Sequence, residues 1–172
     1  MSKPVCRDSQ LELLSLHLGL EDPESRLPEC LVVQGVEGTG KTFTLEYLLS
    51  QHSQNLPFAF VDCIEAYQPR LLFQSSLAQL GVEEGIRCDN VSDFTRLLRE
   101  TVRHGKAVIV LENADRLRED VSLLSVMTRL QEVTKCNISS ILETRLDWSK
   151  LRPAGDVLTP SQYSAANVFI IH

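Results

Sequence analysis

Short apolar runs and amphipathic stretches alternate along the whole chain. The apolar runs, which predict buried strands, cover residues 30–34, 58–63, 107–111, 138–142 and 168–171. The stretches between and before them repeat their apolar residues with helical spacing, at 11–18, 41–51, 69–80, 92–105 and 120–135. Strands that alternate with helices are typical of a fold in which crossover helices cover both faces of a parallel sheet. The pattern therefore predicts a three-layer α/β domain with a five-stranded, mostly parallel sheet.

Several predicted helix ends carry residues that favour starting or stopping a helix. Asp8 and Ser9 are expected to cap the first helix, and Ser92 and Asp93 the fourth. Side-chain oxygens at these positions accept hydrogen bonds from backbone amides that have no partner inside the helix. Pro69 is well placed to open the third helix and Gly81 to stop it.

The composition is that of one ordinary globular domain. The chain has 172 residues, 43% hydrophobic and 23% charged, which is enough apolar mass for a core. Its net charge of −6 argues against a surface that binds nucleic acid throughout, although a local basic patch remains open. The longest apolar runs are about five residues, against about 20 needed to span a bilayer. No apolar signal-peptide core follows the N-terminus, so we expect a cytosolic or nuclear protein without a membrane partner.

The cysteines do not form a recognisable pattern. There are five, at positions 6, 30, 63, 88 and 136, and no pair has C-x-x-C spacing. An odd number of scattered cysteines argues against a disulfide framework or a zinc site. Cys30 and Cys63 fall in apolar runs, so we interpret them as small core residues.

The most specific chemical motif follows the first predicted strand. The pattern G-x-x-x-x-G-K-[ST] is met by Gly35, Val36, Glu37, Gly38, Thr39, Gly40, Lys41 and Thr42. Glycines let the loop turn tightly and direct backbone N–H groups at a phosphate, while the next helix presents its positive dipole end to the same anion. Lys41 should reach the β- and γ-phosphates, and Thr42 should ligate Mg²⁺ through its hydroxyl. We therefore expect a nucleoside-triphosphate site.

The third predicted strand ends in polar residues where such sites place acids. Glu112 stands where an aspartate usually supports Mg²⁺, which makes it a second candidate metal ligand beside Thr42. Asn113 stands where a catalytic glutamate is expected, and an amide cannot accept a proton as a general base. Asp115 is the nearest substitute, and its plain interpretation is a cap or a surface ion pair. The pattern predicts nucleotide binding with slow hydrolysis, and it assigns no catalytic residue.

Two residues near and beyond the fourth predicted strand complete the candidate site. Thr144 is placed to contact the γ-phosphate or the attacking water, or else to be a strand residue with a satisfied hydroxyl. Arg152 follows in a predicted helical turn. It is a candidate to act on a neighbouring subunit's nucleotide, or else an exposed structural arginine.

The chain resembles the core of an AAA+ ATPase of the initiator group, which forms origin recognition complexes. The resemblance is carried by the phosphate loop and by the runs 6–10, 60–67, 93–94, 111–118, 130–132 and 148–153, and it covers essentially the whole chain. It implies a sheet in the order 5-1-4-3-2 and ATP bound between adjacent subunits of a partial ring. Family members continue into a helical lid and a winged-helix domain, so residues 1–172 are expected to be the N-terminal nucleotide-binding core of a longer chain.

The resemblance also implies a function, partners and site residues. The expected function is an ATP-binding subunit that supports complex assembly and helicase loading at origins, with weak or no hydrolysis. Other complex subunits, replication-licensing factors and, mainly through the complex, origin DNA are the implied partners, in the nucleus. In this family the segment around Arg7 lies near the adenine, so Arg7 and Asp8 become candidate contacts to the base. A helix inserted after the second strand can face DNA, and Arg70 and Arg87 are the cations of that region.

Three other interpretations stay open. The first is an active AAA+ ATPase of another assembly, in which Asp115 or Glu112 supplies the base. The second is a phosphoryl transferase such as a small-molecule kinase, although such enzymes usually carry an arginine-rich lid that is not evident here. The third is an interaction module whose nucleotide site is vestigial.

Overall fold

The computed structural model describes residues 3–22, 24–83, 85–103, 105–147 and 166–170. The helices are α1 Asp8–His17, α2 Lys41–Gln51, α3 Pro69–Gln79, α4 Val91–Thr101, α5 Val121–Thr128 and α6 Leu130–Thr134, and a 3₁₀ helix covers Ala114–Glu119. The strands are β1 Cys30–Gln34, β2 Phe58–Asp62, β3 Lys106–Glu112, β4 Asn137–Thr144 and β5 Ala166–Ile170. In the described part of the chain, no helix combines the length and apolarity that crossing a bilayer requires.

All five strands form one parallel sheet in the order β2-β3-β4-β1-β5. This is the predicted order 5-1-4-3-2, written from the other edge, so the prediction is confirmed. β3 and β4 run to Glu112 and Thr144, further than their apolar runs indicated. Glu112 and Thr144 therefore belong to the strands themselves. Because the strands are parallel, their carboxyl ends lie together at one edge of the sheet.

Successive residues of β1 pack into different layers. Cys30 and Val32 belong to a core cluster with buried residues of α3, α4 and α5, whereas Leu31 and Val33 pack with residues of α1 and α2. Side chains of a strand alternate between the two faces of the sheet, and here helices cover both faces. The three-layer prediction is confirmed, as is the core position of Cys30 and Cys63, which are 3% and 2% exposed.

The predicted caps of α1 and α4 were wrong. α1 begins at Asp8 itself, with Arg7 at the N-cap position and no side-chain cap. The cap of α4 is Asn90, whose Oδ1 accepts from the backbone N–H of Asp93 at 2.9 Å. A capping side chain must precede the first helical residue to reach the free amides of the first turn, and Ser92 already lies inside the helix.

The single long helix predicted over 120–135 is two helices. The break is at Arg129, whose φ of −122° and ψ of 28° are not helical. Next to it, the hydroxyl of Ser140 on β4 donates to the carbonyl of Met127. The contact between the end of α5 and the sheet is a tertiary one, which helical periodicity does not encode.

Side chains from α6 and β4 fix the segment that enters β1. Gln131, 2% exposed, donates through Nε2 to the carbonyl of Leu27 at 2.7 Å and accepts from Nε of Arg26 at 2.9 Å. Asn137 accepts from the backbone N–H of Leu27 at 2.9 Å. Buried polar groups must be paired, and these bonds pair the backbone just before β1. They set where β1 starts and therefore where the phosphate loop emerges.

We expect Gln131→Met to destabilise the domain by about 1–3 kcal/mol, because it leaves the carbonyl of Leu27 and the guanidinium of Arg26 without their partner. Urea unfolding followed by circular dichroism measures the change. Glu132→Gln, which weakens only the exposed pair with Arg129, is the neighbouring control and should cost well under about 1 kcal/mol. Equal losses in the two variants would contradict the structural role given to Gln131.

Candidate functional site

The predicted phosphate loop connects β1 to α2 and depends on two left-handed glycines. Gly38 has a φ of +79° and Gly40 a φ of +78°, a backbone conformation that residues other than glycine rarely adopt. An added Cβ at either position would meet nothing within 4 Å, so backbone conformation and not space requires glycine there. Gly40 is the N-cap of α2, and the loop therefore delivers the first turn of that helix to the carboxyl edge of the sheet.

A cleft of about 340 Å³ opens between this loop and the ends of β3 and β4. Most residues that line it were predicted from the sequence, and these are Glu37, Gly38, Gly40, Lys41, Thr42, Glu112, Asn113, Asp115 and Thr144. The residues that were not predicted are Phe43, Glu143 and Arg145. Gly35, Val36 and Thr39 complete the loop without lining the cleft. The structure thus brings the loop and both strand ends to one place.

Lys41 and Thr42 are bonded within the chain. Lys41 is 6% exposed, and its Nζ donates to the carbonyl of Val36 at 3.1 Å. The same nitrogen lies 3.9 Å from Oε1 of Glu143. The hydroxyl of Thr42 donates to both carboxylate oxygens of Glu143, at 2.8 and 2.9 Å.

Glu143 is a site residue that the sequence reasoning missed. It is the penultimate residue of β4, pairs in register with Val33 of β1 and is 7% exposed. The pKa of its carboxyl is raised, because burial outweighs the hydrogen bond from Thr42 and the charge of Lys41, which both lower it. The sequence did carry a signal, since an acid directly follows the apolar run 138–142. A buried strand carries a carboxylate only where a hydrogen-bonding or charged partner stabilises it.

Glu112 is the last residue of β3, and Asn113 directly follows it. Burial, and then the charges of Glu143 and Asp62, raise the pKa of Glu112 to about 7. Asn113 is left-handed, with φ 53° and ψ 40°, and its Nδ2 donates to Oδ1 of Asp62 at 2.9 Å. Asparagine tolerates this conformation better than most residues. The amide of Asn113 is thus engaged with the end of β2.

Arg145 links two acids across the rim of the cleft. One guanidinium nitrogen lies 3.1 Å from Glu37 of the phosphate loop and another 3.2 Å from Asp115. Asp115 was expected to be a cap or a surface ion pair; it forms an ion pair, but its side chain is only 10% exposed. Its second oxygen, Oδ1, is buried and has no hydrogen-bond partner among the described residues.

Thr144, Arg7 and Asp8 form contacts with other residues of the chain. Thr144 is 1% exposed, and its hydroxyl accepts from the backbone N–H of Leu146 at 3.0 Å. Arg7 donates to the carbonyl of Thr39 at 2.9 Å and so braces the loop, whereas Asp8 forms an ion pair with Lys3. Neither Arg7 nor Asp8 lines the cleft, and their contact with a base stays a prediction.

Two other predictions concern Arg152 and the pair Arg70 and Arg87. Arg152 lies outside the described residues, and its role stays a prediction. Arg70 and Arg87, the cations of the region expected to face DNA, lie 3.2 and 3.8 Å from the carboxylate of Asp89. This shared acid reduces the positive charge that the region offers to a phosphate backbone.

The donors in the cleft suit a triphosphate with Mg²⁺. Thr42, Glu112 and Glu143 offer hard oxygen ligands, and Lys41 and the N-terminus of α2 offer positive charge at the loop. Mg²⁺ is usually held by one or two carboxylates together with phosphate oxygens and waters. The described residues hold no group of three or more His, Cys, Asp or Glu able to bind a metal by themselves, so phosphate oxygens would complete the shell.

We expect Glu112→Gln to change how stability depends on pH in EDTA without nucleotide. Unfolded, Glu112 ionises near 4.5; folded, it keeps its proton up to about pH 7. Its contribution to the free energy of unfolding is therefore present below pH 4.5 and is lost as pH rises through about 7. Glu112→Gln lacks this loss, so its urea midpoint should exceed that of wild type more at pH 8 than at pH 5. The exposed Glu12→Gln on α1 is the control, and a pH-independent difference would contradict the assignment.

Comparison with known proteins places the sequence in a family. The family described as AAA ATPase domain matches residues 3–141, which include the phosphate loop and β3. Origin recognition complex subunit 5 of Homo sapiens is 31% identical over 163 residues, covering 87% of this chain and 37% of the relative. Its Drosophila melanogaster counterpart is 32% identical over 154 residues, covering 84% of this chain and 33% of the relative. The chain thus spans about a third of the length of these curated relatives.

Solved structures share the fold. A chain in the structure of Drosophila ORC bound to DNA matches with a TM-score of 0.84 and 28% identity, over 97% of this chain and 43% of that chain. Cdc6p of Pyrobaculum aerophilum has the same fold at 19% identity, with a TM-score of 0.76 over 99% of this chain and 46% of that chain. The chain therefore belongs to the AAA ATPase domain family, and its sequence is similar to that of origin recognition complex subunit 5.

Proposed function

We propose that this chain is the nucleotide-binding core of an origin recognition complex subunit 5. In this proposal it binds ATP with Mg²⁺, works in the nucleus with the other subunits and with licensing factors, and supports complex assembly and helicase loading at origins. The observation that carries the proposal is the cleft in which the phosphate loop, Glu112 and Glu143 meet. The similarity to subunit 5 of human and fly supports the choice of assembly.

The residues of the cleft would hold the ligand in distinct ways. The backbone N–H groups around Gly38 and Gly40 and the first turn of α2 would receive the phosphates. Lys41 would place its ammonium at the β- and γ-phosphates, and Thr42 and Glu112 would hold the metal. The bound metal would neutralise charge on the phosphates. Binding in this way requires no proton transfer by the protein.

The site favours retention of ATP over hydrolysis. Asn113 has no basic group, and its amide already donates to Asp62, on the side of β2. Asp115 is committed to Arg145, although its unpartnered Oδ1 keeps the active-ATPase alternative open. Loss of a general base typically slows such a reaction by about 10²–10⁴-fold. We therefore place the function in assembly.

Lys41→Ala should abolish ATP binding, because it removes the ammonium that faces the phosphates while leaving the loop glycines intact. Equilibrium titration with a fluorescent ATP analogue in Mg²⁺ measures the affinity. Arg103→Ala, which removes an exposed cation just before β3, is the matched control and should bind as wild type does. If Lys41→Ala and wild type bind equally, or if wild type does not bind at all, the vestigial interaction module is the better description.

The same variants test the proposed assembly. We expect wild type and Arg103→Ala to co-purify with the other origin recognition complex subunits of the same source, and Lys41→Ala to do so less well. Undiminished co-purification of Lys41→Ala would leave ATP binding without a role in assembly. Failure of wild type to join any of these subunits would refute the choice of complex.

Hydrolysis should be slow in wild type. Single-turnover measurements with radiolabelled ATP are expected to give a rate about 10²–10⁴ below that of active ATPases, since the base is missing. Asn113→Glu supplies a carboxylate but places it on left-handed backbone and removes the bond to Asp62, so we expect little gain. Rapid turnover by wild type that disappears in Asp115→Asn would establish the active-ATPase alternative instead.

A further inference from the structure

Glu143 contacts Thr42 and Lys41, the two side chains of the phosphate loop that are expected to bind the ligand. The hydroxyl of Thr42, the expected metal ligand, donates to both of its oxygens at 2.8 and 2.9 Å. The ammonium of Lys41, the expected phosphate ligand, lies 3.9 Å from Oε1 of the same carboxylate. One buried acid thus faces both groups at once. A phosphate that approaches Lys41 must share the ammonium with this carboxylate.

The position of Glu143 is set by the fold. β4 lies between β3 and β1, and Glu143 pairs in register with Val33, two residues before the phosphate loop. With 7% of its surface exposed, its charge is poorly screened by water. That charge therefore acts strongly on any ion that approaches the loop beside it.

The charge around the cleft makes an added anion unfavourable. Its walls carry the acids Glu37, Glu112, Asp115 and Glu143 against the cations Lys41 and Arg145. Arg145 is already paired with Glu37 and Asp115 at the rim, which leaves Lys41 to offset the inner carboxylates. A triphosphate placed there without a cation would repel Glu143 at short range. A divalent cation between the phosphates and the carboxylates removes that repulsion.

We propose that Glu143 makes ATP binding by this chain conditional on a divalent cation. With Mg²⁺ present, the carboxylate faces a positive charge and is accommodated beside the phosphates. Without it, the carboxylate competes for Thr42 and Lys41 and repels the nucleotide. Glu143 is a positioning residue in this account, selecting the metal complex of the nucleotide over the free anion. The inference rests on the proposed ATP binding.

Equilibrium affinities for a fluorescent ATP analogue, measured in Mg²⁺ and in EDTA, test the inference. Wild type should bind much more tightly in Mg²⁺. Glu143→Gln keeps the size of the side chain and an acceptor for Thr42 but removes the charge, so its affinity in EDTA should rise by about tenfold or more. Its affinity in Mg²⁺ should change less, so that the ratio between the two conditions shrinks. Glu143→Ser serves as a second variant, and circular dichroism confirms that each variant is folded.

Glu46→Gln on α2 is the matched control for charge at a distance, since Glu46 acts on Glu143 electrostatically but does not line the cleft. It should keep the wild-type ratio. An unchanged ratio in both Glu143 variants, or an equal shift in Glu46→Gln, would overturn the role of Glu143 while leaving ATP binding intact. If wild type and every variant fail to bind the nucleotide in either buffer, as Lys41→Ala is expected to do, the proposed function and this inference are both refuted.

Discussion

The backbone pairing of β1 with β4 determines where every functional side chain lies. Both strands are buried on both faces, so their N–H and C=O groups have no water to bond and must pair with each other in one register. The same ladder continues into the loop, where the N–H of Gly35 donates to the carbonyl of Thr144 at 3.2 Å. A slip by one residue would turn Glu143 to the opposite face of the sheet and away from Thr42.

The cleft beside these two strands contains more carboxylates than cations. Its carboxylates are stabilised by partners inside the chain: Glu143 by Thr42 and Lys41, and Asp115 by Arg145. Burial raises the pKa of both Glu112 and Glu143, and at Glu143 the hydrogen bond from Thr42 and the charge of Lys41 oppose this rise. Sites that bind anions commonly concentrate positive charge, whereas this one combines a phosphate loop with acids. In the proposed complex with ATP, cations held beside the nucleotide would therefore matter more than the fixed charge of the protein.

Local patterns in the sequence were sufficient to predict the three-layer α/β class and the phosphate loop. Strands buried on both faces appear as apolar runs, and the loop has fixed glycine positions. The contacts of Glu143 could not be predicted, since they depend on which strand lies beside β1 and in which register. The hydrogen bonds from Asn113 to Asp62 and from Ser140 to the end of α5 likewise join residues that are separated in the sequence. Resemblance to a family supplied the strand order, but not these contacts.

The sheet order also bears on how the chain reaches its native state during synthesis. β1 is synthesised before both of its neighbours in the sheet, which are β4 at Asn137–Thr144 and β5 at Ala166–Ile170. Until those segments leave the ribosome, the backbone N–H and C=O groups on both edges of β1 are open to other unpaired strands, a condition that favours misassociation. Such distant pairings also fold slowly, because a long chain segment must be ordered before any contact is gained. The phosphate loop is thus synthesised well before the strands that complete its surroundings.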